Sequence, residues 1–302
     1  MKGPRISLEQ WRVLQAVVEQ GGFAQAARHL HRSQSSVSYT VARLQEQAGI
    51  ALMRIEGRKA VLTEAGEVLL RRAGVLLRDA RVLEALAGNL AQGWEPEVRL
   101  VVDAAFPADL LMAALGHFVP VSRGTRVQLE EVVLSGAEDR LMGGEADLVI
   151  GIRVPASHLG THLVDIGFRA VAHPDHPLHR LDRPVTGNDL KGHLQVVIRD
   201  SGTGNRTDIG WLAAEHRWTV THFDTALAAL EAGLGFGWLP EHRLADALER
   251  GTLAALPLVA GGQYSVPLYL MFGDEDNAGP ATRALARVLT DACRTAHPPC
   301  GA

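Results

Sequence analysis

The tightest constraint on the fold lies in the first fifty residues, where two helical patterns are separated by a connection too short for anything but a turn. Residues 23–30 carry Ala24, Ala26 and Ala27, small side chains that let another helix cross closely. His31-Arg32-Ser33 follows. Ser33 is a good N-cap for a third helix, whose buried stripe is Val37, Val41 and Leu44 and which Gly49 ends. Upstream, Leu8, Trp11, Val13, Leu14, Val17 and Val18 recur at helical spacing until Gly21-Gly22 stops them. Two short helices, a turn and a third helix make a helix-turn-helix.

The other side of the third helix carries Gln34, Ser35, Ser38 and Tyr39, with Ser36 at its edge. Short hydroxyls and an amide suit a groove, because they donate to phosphates or base edges without filling it. A merely solvated face has similar residues, so charge must add to the argument. Residues 1–66 hold nine basic side chains (Lys2, Arg5, Arg12, Arg28, Arg32, Arg43, Arg54, Arg58, Lys59) against five acids, a balance of +4, although the whole chain is −4. The remainder is therefore at −8, and a basic head on an acidic body meets a polyanion through the head alone. Residues 50–63 read as a two-stranded wing. Leu52 and Ile55 anchor one side, Gly57 turns, and Ala60, Val61 and Leu62 return, with Arg54, Arg58 and Lys59 around the turn. Such a tip adds affinity and salt dependence rather than base choice.

Phe23-Ala24-Gln25-Ala26-Ala27-Arg28-His29-Leu30, Ser33-Gln34-Ser35-Ser36-Val37-Ser38, Arg43-Leu44-Gln45, Leu52-Met53-Arg54 and Leu62-Thr63-Glu64-Ala65-Gly66 occur in this order. Together they resemble the DNA-binding head of LysR-type transcriptional regulators. Ser35, Gln45 and Met53 stand where the family often has Pro, an acid and Phe. The resemblance implies DNA contacts from Ser33, Gln34, Ser35, Ser36, Ser38, Tyr39, Arg43, Arg54, Arg58 and Lys59.

From Glu64 to about Leu90 there is no proline. Leu69, Leu76, Leu83 and Leu90 recur every seven residues, with Ala73, Ala80 and Ala87 between them. That stripe fits either a helix packed on its own domain or a two-fold pair of helices, and the exposed connector favours the pair. The resemblance agrees, since LysR-type proteins have a dimerising linker helix here, and it further implies a tetramer. The segment 92–96 (Gln-Gly-Trp-Glu-Pro) reads as a hinge.

Residues 97–302 alternate strands (98–103, 127–134, 148–152, 163–172, 195–198, 236–239) with helices near 108–118, 136–143 and 224–233, an α/β body with mostly parallel sheets. The expected architecture is thus α/β: an N-terminal winged helix-turn-helix (1–66), a long linker helix (67–92), and a C-terminal effector domain (97–302). The resemblance implies two lobes like those of periplasmic binding proteins, 97–166 plus 265–302 and 167–264.

Ligands bind beyond the carboxyl ends of strands in such sheets. That rule selects Asp103, Ala104 and Phe106 after the first strand, Ser135 as the N-cap of a capping box, Arg153, Arg199, Asp200 and Ser201, and Thr225 at a helix start; Trp238 joins them as a candidate pocket aromatic. Arg153 and Arg199 are the candidates for holding a carboxylate. The absence of a hydroxyl at 104–107 and the presence of Phe106 and Trp238 point to a partly aromatic pocket.

The chain of 302 residues has no apolar run long enough to span a membrane and no signal-peptide pattern at residues 1–30. Its two cysteines, Cys293 and Cys300, indicate a reducing cytoplasm rather than a disulfide scaffold. His173, His176 and His179 share a proline-broken loop and do not read as a metal site, so no cofactor or metal is expected. Gly202-Thr203-Gly204-Asn205-Arg206 lacks the context of a phosphate loop and reads as a flexible segment at the cleft mouth. No nucleophile–base signature emerges. The expected function is sequence-specific transcriptional regulation under a small-molecule effector, on an operator with an interrupted inverted repeat, with RNA polymerase a candidate partner. An architectural DNA-binding protein without effector, or an enzyme fused to a DNA-binding head, are the alternatives.

Overall fold

The computed structural model describes residues 3–56, 59–204 and 211–296, and the chain divides into two compact units, Met1–Gly88 and Asn89–Ala302. In the first unit, α1 (Leu8–Glu19), α2 (Phe23–His29) and α3 (Gln34–Ala48) pack around Val13, Leu14, Val17, Ala26, Val37, Val41 and Leu44, all buried. Ser7 opens α1 with a capping box closed by Gln10, a Ser-x-x-Gln signal legible in the sequence. The alanines of α2 work as expected, Ala26 and Ala27 being buried. The turn into α2 needs Gly21 and Gly22, at φ 77° and 153°. Gly49 ends α3 in the left-handed conformation.

The strands β1 (Met53–Glu56) and β2 (Lys59–Leu62) pair antiparallel, Met53 opposite Leu62 and Glu56 opposite Lys59. Gln45 ties this ribbon to α3, its Oε1 accepting from the amides of Leu52 (2.8 Å) and Met53 (2.9 Å). Leu52 is fully buried but Ile55, expected beside it, is 81% exposed. Met53 and Leu62 already fill the ribbon's contact with the core, and among the described residues the outer part of β1 has no apolar partner in that core.

Helix α4 (Glu64–Ala91) begins against the ribbon. Thr63 donates its Oγ1 to the Ala51 carbonyl (2.7 Å) and accepts from the Gly66 amide (3.0 Å). A Cβ on Gly66 would strike the Leu52 carbonyl, which explains the glycine of the 62–66 motif.

The second unit is built on a mixed sheet, nine-stranded among the described residues, in the order β4-β3-β5-β11-β6-β9-β7-β8, with β10 beside β6. The strands are β3 (Glu97–Asp103), β4 (Arg126–Val132), β5 (Leu148–Gly151), β6 (Gly160–Ala172), β7 (Leu194–Ile198), β8 (His216–Val220), β9 (Phe236–Pro240), β10 (Ala254–Ala255) and β11 (Gln263–Phe272). The helices are α5 (Ala108–Phe118), α6 (Gly136–Met142), α7 (Gly187–Lys191), α8 (Phe223–Glu231), α9 (Glu241–Glu249) and α10 (Pro280–Ala296).

The expectation of mostly parallel pairing needs correction. Pairings are parallel in the β4-β3-β5 and β9-β7-β8 groups, but β6 and β11 join these groups as a long antiparallel pair. In that pair Ile166 lies opposite Val266, β11 reaches β5 with residues 269–272, and β6 reaches β9 with residues 168–172.

The segment expected to be a hinge is anchored instead. Trp94 donates its Nε1 to the Ser122 carbonyl (2.9 Å) and Thr125 Oγ1 (2.8 Å), and Arg123 lies over its ring. Glu95 accepts from the amides of Ala281 (2.9 Å) and Thr282 (3.1 Å) at the start of α10. Burial opposes ionisation of Glu95, but hydrogen bonds from Thr282 and Ala281 outweigh it and hold the carboxyl below its ordinary range.

Candidate functional site

On α3, three buried aliphatics leave a polar face in water. Ser33 adopts extended backbone as N-cap and accepts from the Ser36 amide (3.2 Å). Gln34, Ser35, Ser36, Ser38, Tyr39 and Arg43 are all exposed, Tyr39 by 64%. Arg43 donates to the Tyr39 hydroxyl (3.1 Å), so one turn of the helix presents a joined phenol and guanidinium. The face therefore offers donors and acceptors at no desolvation cost to the fold. On the ribbon, Arg54 pairs with Glu56 at 2.7 Å and Lys59 is exposed, while Arg58 lies outside the described residues. The Arg54–Glu56 pair is an exposed one, worth little against a phosphate.

Along α4, Leu76, Leu83 and Leu90 are 55%, 66% and 50% exposed, and Val68, Val75, Val82 and Leu86 are exposed beside them. Leu69 is half-buried, Ala73 is buried, Ala80 is intermediate and Ala87 is exposed. Ala73 is therefore covered within the chain itself, while from Leu76 to Leu90 the leucine–alanine stripe is uncovered and is widened by the exposed valines beside it.

The second unit holds a cavity of about 580 Å³ between the two groups of strands. Asp103, Val133 and Ile152 contribute one side, and Gln195, Arg199, Asp200, Trp211, Arg217, Phe223 and Trp238 the other, with Phe168 and Tyr264 on the crossing strands. A neighbouring, slightly larger cavity of about 630 Å³ shares Val133, Arg199, Asp200 and Phe223, and adds Ala104, Ser201 and Arg243.

The segment 199–204 is held to the segment 133–139 by a set of hydrogen bonds. Asp200 accepts from the Ser135 amide (3.1 Å) and hydroxyl (2.8 Å). Ser201 Oγ accepts from the Val133 amide (2.8 Å), and Asp139 accepts from the amides of Thr203 (2.6 Å) and Gly204 (3.3 Å). Gly136 and Gly202 make this approach feasible, since a Cβ on either would run into Ser201 or Ser135. Residues 202–204 are thus a fastened segment, not a loose one, and Asn205 and Arg206 lie outside the described residues. Ser135 spends its hydroxyl on Asp200, so the expected capping box does not form.

Other expected ligand residues fall elsewhere. Phe106 is 3% exposed and belongs to the core, because Pro107 and α5 turn it inward. Arg153 lies outside both cavities, near Glu138 at 3.9 Å. Thr225 sits on the exposed side of α8, which starts at Phe223, and lines neither cavity. Asp103 lines the cavity but is 2% exposed, and its carboxyl oxygens accept from the amides of Ala105 (2.9 Å) and Leu134 (2.9 Å). Burial, opposed by those two amides, pushes its pKa up to about 6, with nearby Asp200 adding to the rise. Asp103 is therefore a brace between strand ends. Arg199, Asp200, Ser201, Ala104 and Trp238 do line the cavities.

The sequence reading missed Gln195, Trp211, Arg217, Phe168 and Tyr264. Arg217 and Thr219 alternate on β8 and stand in register with Gln195 and Val197 on β7, which places these side chains on one face. That alternation was the available signal.

His176 is buried and accepts from the Leu178 amide, capping a short turn. Burial, then neighbouring His193 and His179, lower its pKa to about 4, so it serves as a neutral structural group. No metal-binding cluster occurs among the described residues. Nor is any helix among them long and apolar enough to cross a membrane.

Comparison with known proteins places these features in context. A family model described as "Bacterial regulatory helix-turn-helix protein, lysR family" matches residues 8–67, and one described as "LysR substrate binding domain" matches residues 91–294. The "Uncharacterized HTH-type transcriptional regulator YeeY" of Escherichia coli (strain K12) is 31% identical over 280 residues, covering 89% of this chain and 88% of that protein. The "Probable HTH-type transcriptional regulator YhaJ" of the same organism is 30% identical, covering 82% and 85%. Among solved structures, full-length LysG from Corynebacterium glutamicum with bound effector Arg has a TM-score of 0.53 at 21% identity, covering 95% of this chain and 98% of that one.

Proposed function

The chain belongs to the LysR family of bacterial transcriptional regulators, and from that premise we propose how its own residues do the work. A member of this family is a DNA-binding regulator with an effector-binding domain, not an enzyme. In the proposed mechanism α3 enters the major groove with Gln34, Ser35, Ser38 and Tyr39 toward base edges, while Ser33, Ser36 and Arg43 fix it to phosphates. Arg54, Arg58 and Lys59 of the wing lie along the backbone and set salt dependence. The observation that carries this reading is the split of α3 into a fully buried Val37–Val41–Leu44 stripe and an exposed hydroxyl and amide face.

The exposed leucines and valines of α4 pair two copies of the chain, so that two heads meet an interrupted inverted repeat. Two such pairs form a tetramer. The lobes 97–166 plus 265–302 and 167–264 close on a small molecule in the aromatic-lined cavity of about 580 Å³. The hydrogen bonds from 199–204 to 133–139 are the contacts whose geometry the ligand biases, which changes the spacing of the heads. The protein works in the cytoplasm, and RNA polymerase is a candidate partner.

The test is selection of bound fragments from a genomic library against random competitor, followed by footprinting. The expected result is a protected site with two related half-sites in inverted order. Recovery of fragments without such half-sites overturns the two-headed arrangement, and recovery of none overturns the regulator mechanism.

A further inference from the structure

We propose that the segment 199–204 is a built-in clasp that holds the two groups of strands together through the chain's own groups, and that the proton on Asp103 decides how firmly it shuts. Its part in regulation rests on the reading of this cleft as the effector site.

The two groups, β4-β3-β5 and β9-β7-β8, are joined through the β6–β11 pair. The segment 199–204 follows β7 and bonds to residues that follow β4, so it ties the groups a second time. Amides on both sides mark the crossing. Val133 donates to Ser201 Oγ (2.8 Å) and Ser135 to Asp200 Oδ1 (3.1 Å). In return Ser201 donates to the Val133 carbonyl (3.2 Å), and Thr203 (2.6 Å) and Gly204 (3.3 Å) donate to Asp139. The approach leaves no room for side chains at its closest points. A Cβ on Gly202 would overlap Ser135 Oγ, and one on Gly136 would overlap Ser201 Oγ.

Asp103 lies beneath this crossing. Its carboxyl accepts from the Leu134 amide (2.9 Å), and Asp200 accepts from the next amide along the chain, Ser135. The two carboxyl groups therefore sit side by side on one turn, at 2% and 8% exposure. Burial, opposed by the amides of Ala105 and Leu134, raises Asp103 to about 6 from its ordinary 3.8, and Asp200 adds to the rise. Opening the clasp returns water to this carboxyl and separates it from Asp200, so the open form ionises in the ordinary range. The closed form thus keeps a proton that the open form has lost. Closure is firmest below about pH 4, weakens up to about pH 6 and levels beyond it.

The other charges around Asp103 leave this response standing. Arg243 of α9 spends its guanidinium on the Ala104 carbonyl (3.0 Å) and Asp224 (3.2 Å). Glu138 of α6 faces Arg153 at 3.9 Å, and Asp139 holds the amides of Thr203 and Gly204. Asp109, Glu131, Arg199 and Arg217 are exposed, where water and salt screen them. Asp200 is the charge among these neighbours that acts on Asp103. At acid pH the chain itself shuts the cleft, and at neutral pH the same groups release it for a ligand.

The experiment is amide hydrogen exchange on the full chain, without DNA or added ligand, at about pH 5 and about pH 7.5, with each rate divided by that of the unstructured peptide at the same pH. Protection of Ser135, Ser201, Thr203 and Gly204 should fall about tenfold from the lower to the higher pH. The paired strands β6 and β11 should exchange more slowly than these amides at both values, which marks the loss as a local opening. Asp103→Asn should hold clasp protection level across the range. Gly202→Ala should leave the clasp amides about tenfold less protected at about pH 5, because its Cβ displaces Ser135, with β6 and β11 unchanged.

Native protection that does not change with pH, or a fall that persists in Asp103→Asn, overturns the role of the proton. Native protection in Gly202→Ala, or clasp amides that exchange no faster than β6 and β11, overturns the clasp. A clasp that answers to pH in a chain whose melting temperature no metabolite raises would reject the effector reading alone. A metabolite-induced rise beside an unresponsive clasp would reject the clasp alone.

Discussion

Asp103 makes an unusual demand on the second unit, because a carboxyl buried at a strand end is easier to keep protonated than ionised. Its folded pKa is about 6, against about 3.9 for an unfolded aspartate. The folded state therefore binds a proton that the unfolded state has lost, and stability is fully present below the unfolded value and falls as pH rises through 6. The whole shift corresponds to about 3 kcal/mol, of which about 1.4 kcal/mol is lost between about pH 5 and about pH 7.5.

Asp103→Asn removes this titration at the fixed expense of one backbone hydrogen bond, since an amide oxygen can serve Ala105 or Leu134 but not both. The substitution should thus cost about 1.4 kcal/mol more at about pH 5 than at about pH 7.5. Urea denaturation in a Trp11→Phe background reads this directly, because the remaining tryptophans belong to the second unit. A cost that is unchanged with pH, or larger at the higher pH, would show an ionised Asp103 throughout and refute the reasoning.

Three further outcomes are expected. Leu76→Asp with Leu83→Asp should lower the sedimenting mass without altering the circular dichroism of the fold, because both leucines are exposed within one chain; an unchanged mass rejects pairing through α4. Gly66→Ala should destabilise the first unit by about 2 kcal/mol or more, read as a lowered melting temperature, because its Cβ meets the rigid Leu52 carbonyl. An unaltered melt contradicts that account. Arg54→Ala should weaken binding to all DNA sequences alike and make the salt dependence shallower by about one unit of slope; loss at one sequence only would show base reading by the wing.

The first unit was legible because each of its devices is local. The Ser33 cap, the Val37–Val41–Leu44 stripe and the Gly49 stop act within one helix, and they stand where the periodicity puts them. Ile55 failed that logic, since whether a strand residue has something beneath it depends on how far the helices extend. In the second unit, strand existence was readable from aliphatic runs. Strand direction was not, because β6 and β11 carry much the same residues whether they run with or against their neighbours.

The ligand site was the least legible. Ser135 was read for its helix end but is claimed by Asp200, 65 residues away in the chain. Arg153 and Thr225 follow strand ends or open helices as a binding residue should, yet the sheet's curl carries them off the cavity wall. Gln195 and Arg217 come together only through the pairing of β7 with β8, and β8, with its outer residues exposed, gave no apolar run to announce it.

The central claim is that the polar face of α3 reads bases. It is tested most directly by ranking a library of operator variants against the native chain and against Gln34→Ala. The account predicts that Gln34→Ala loses discrimination at one position of each half-site, by about 1–3 kcal/mol, and keeps it elsewhere. An identical ranking by the two proteins, with affinity merely scaled, would contradict it.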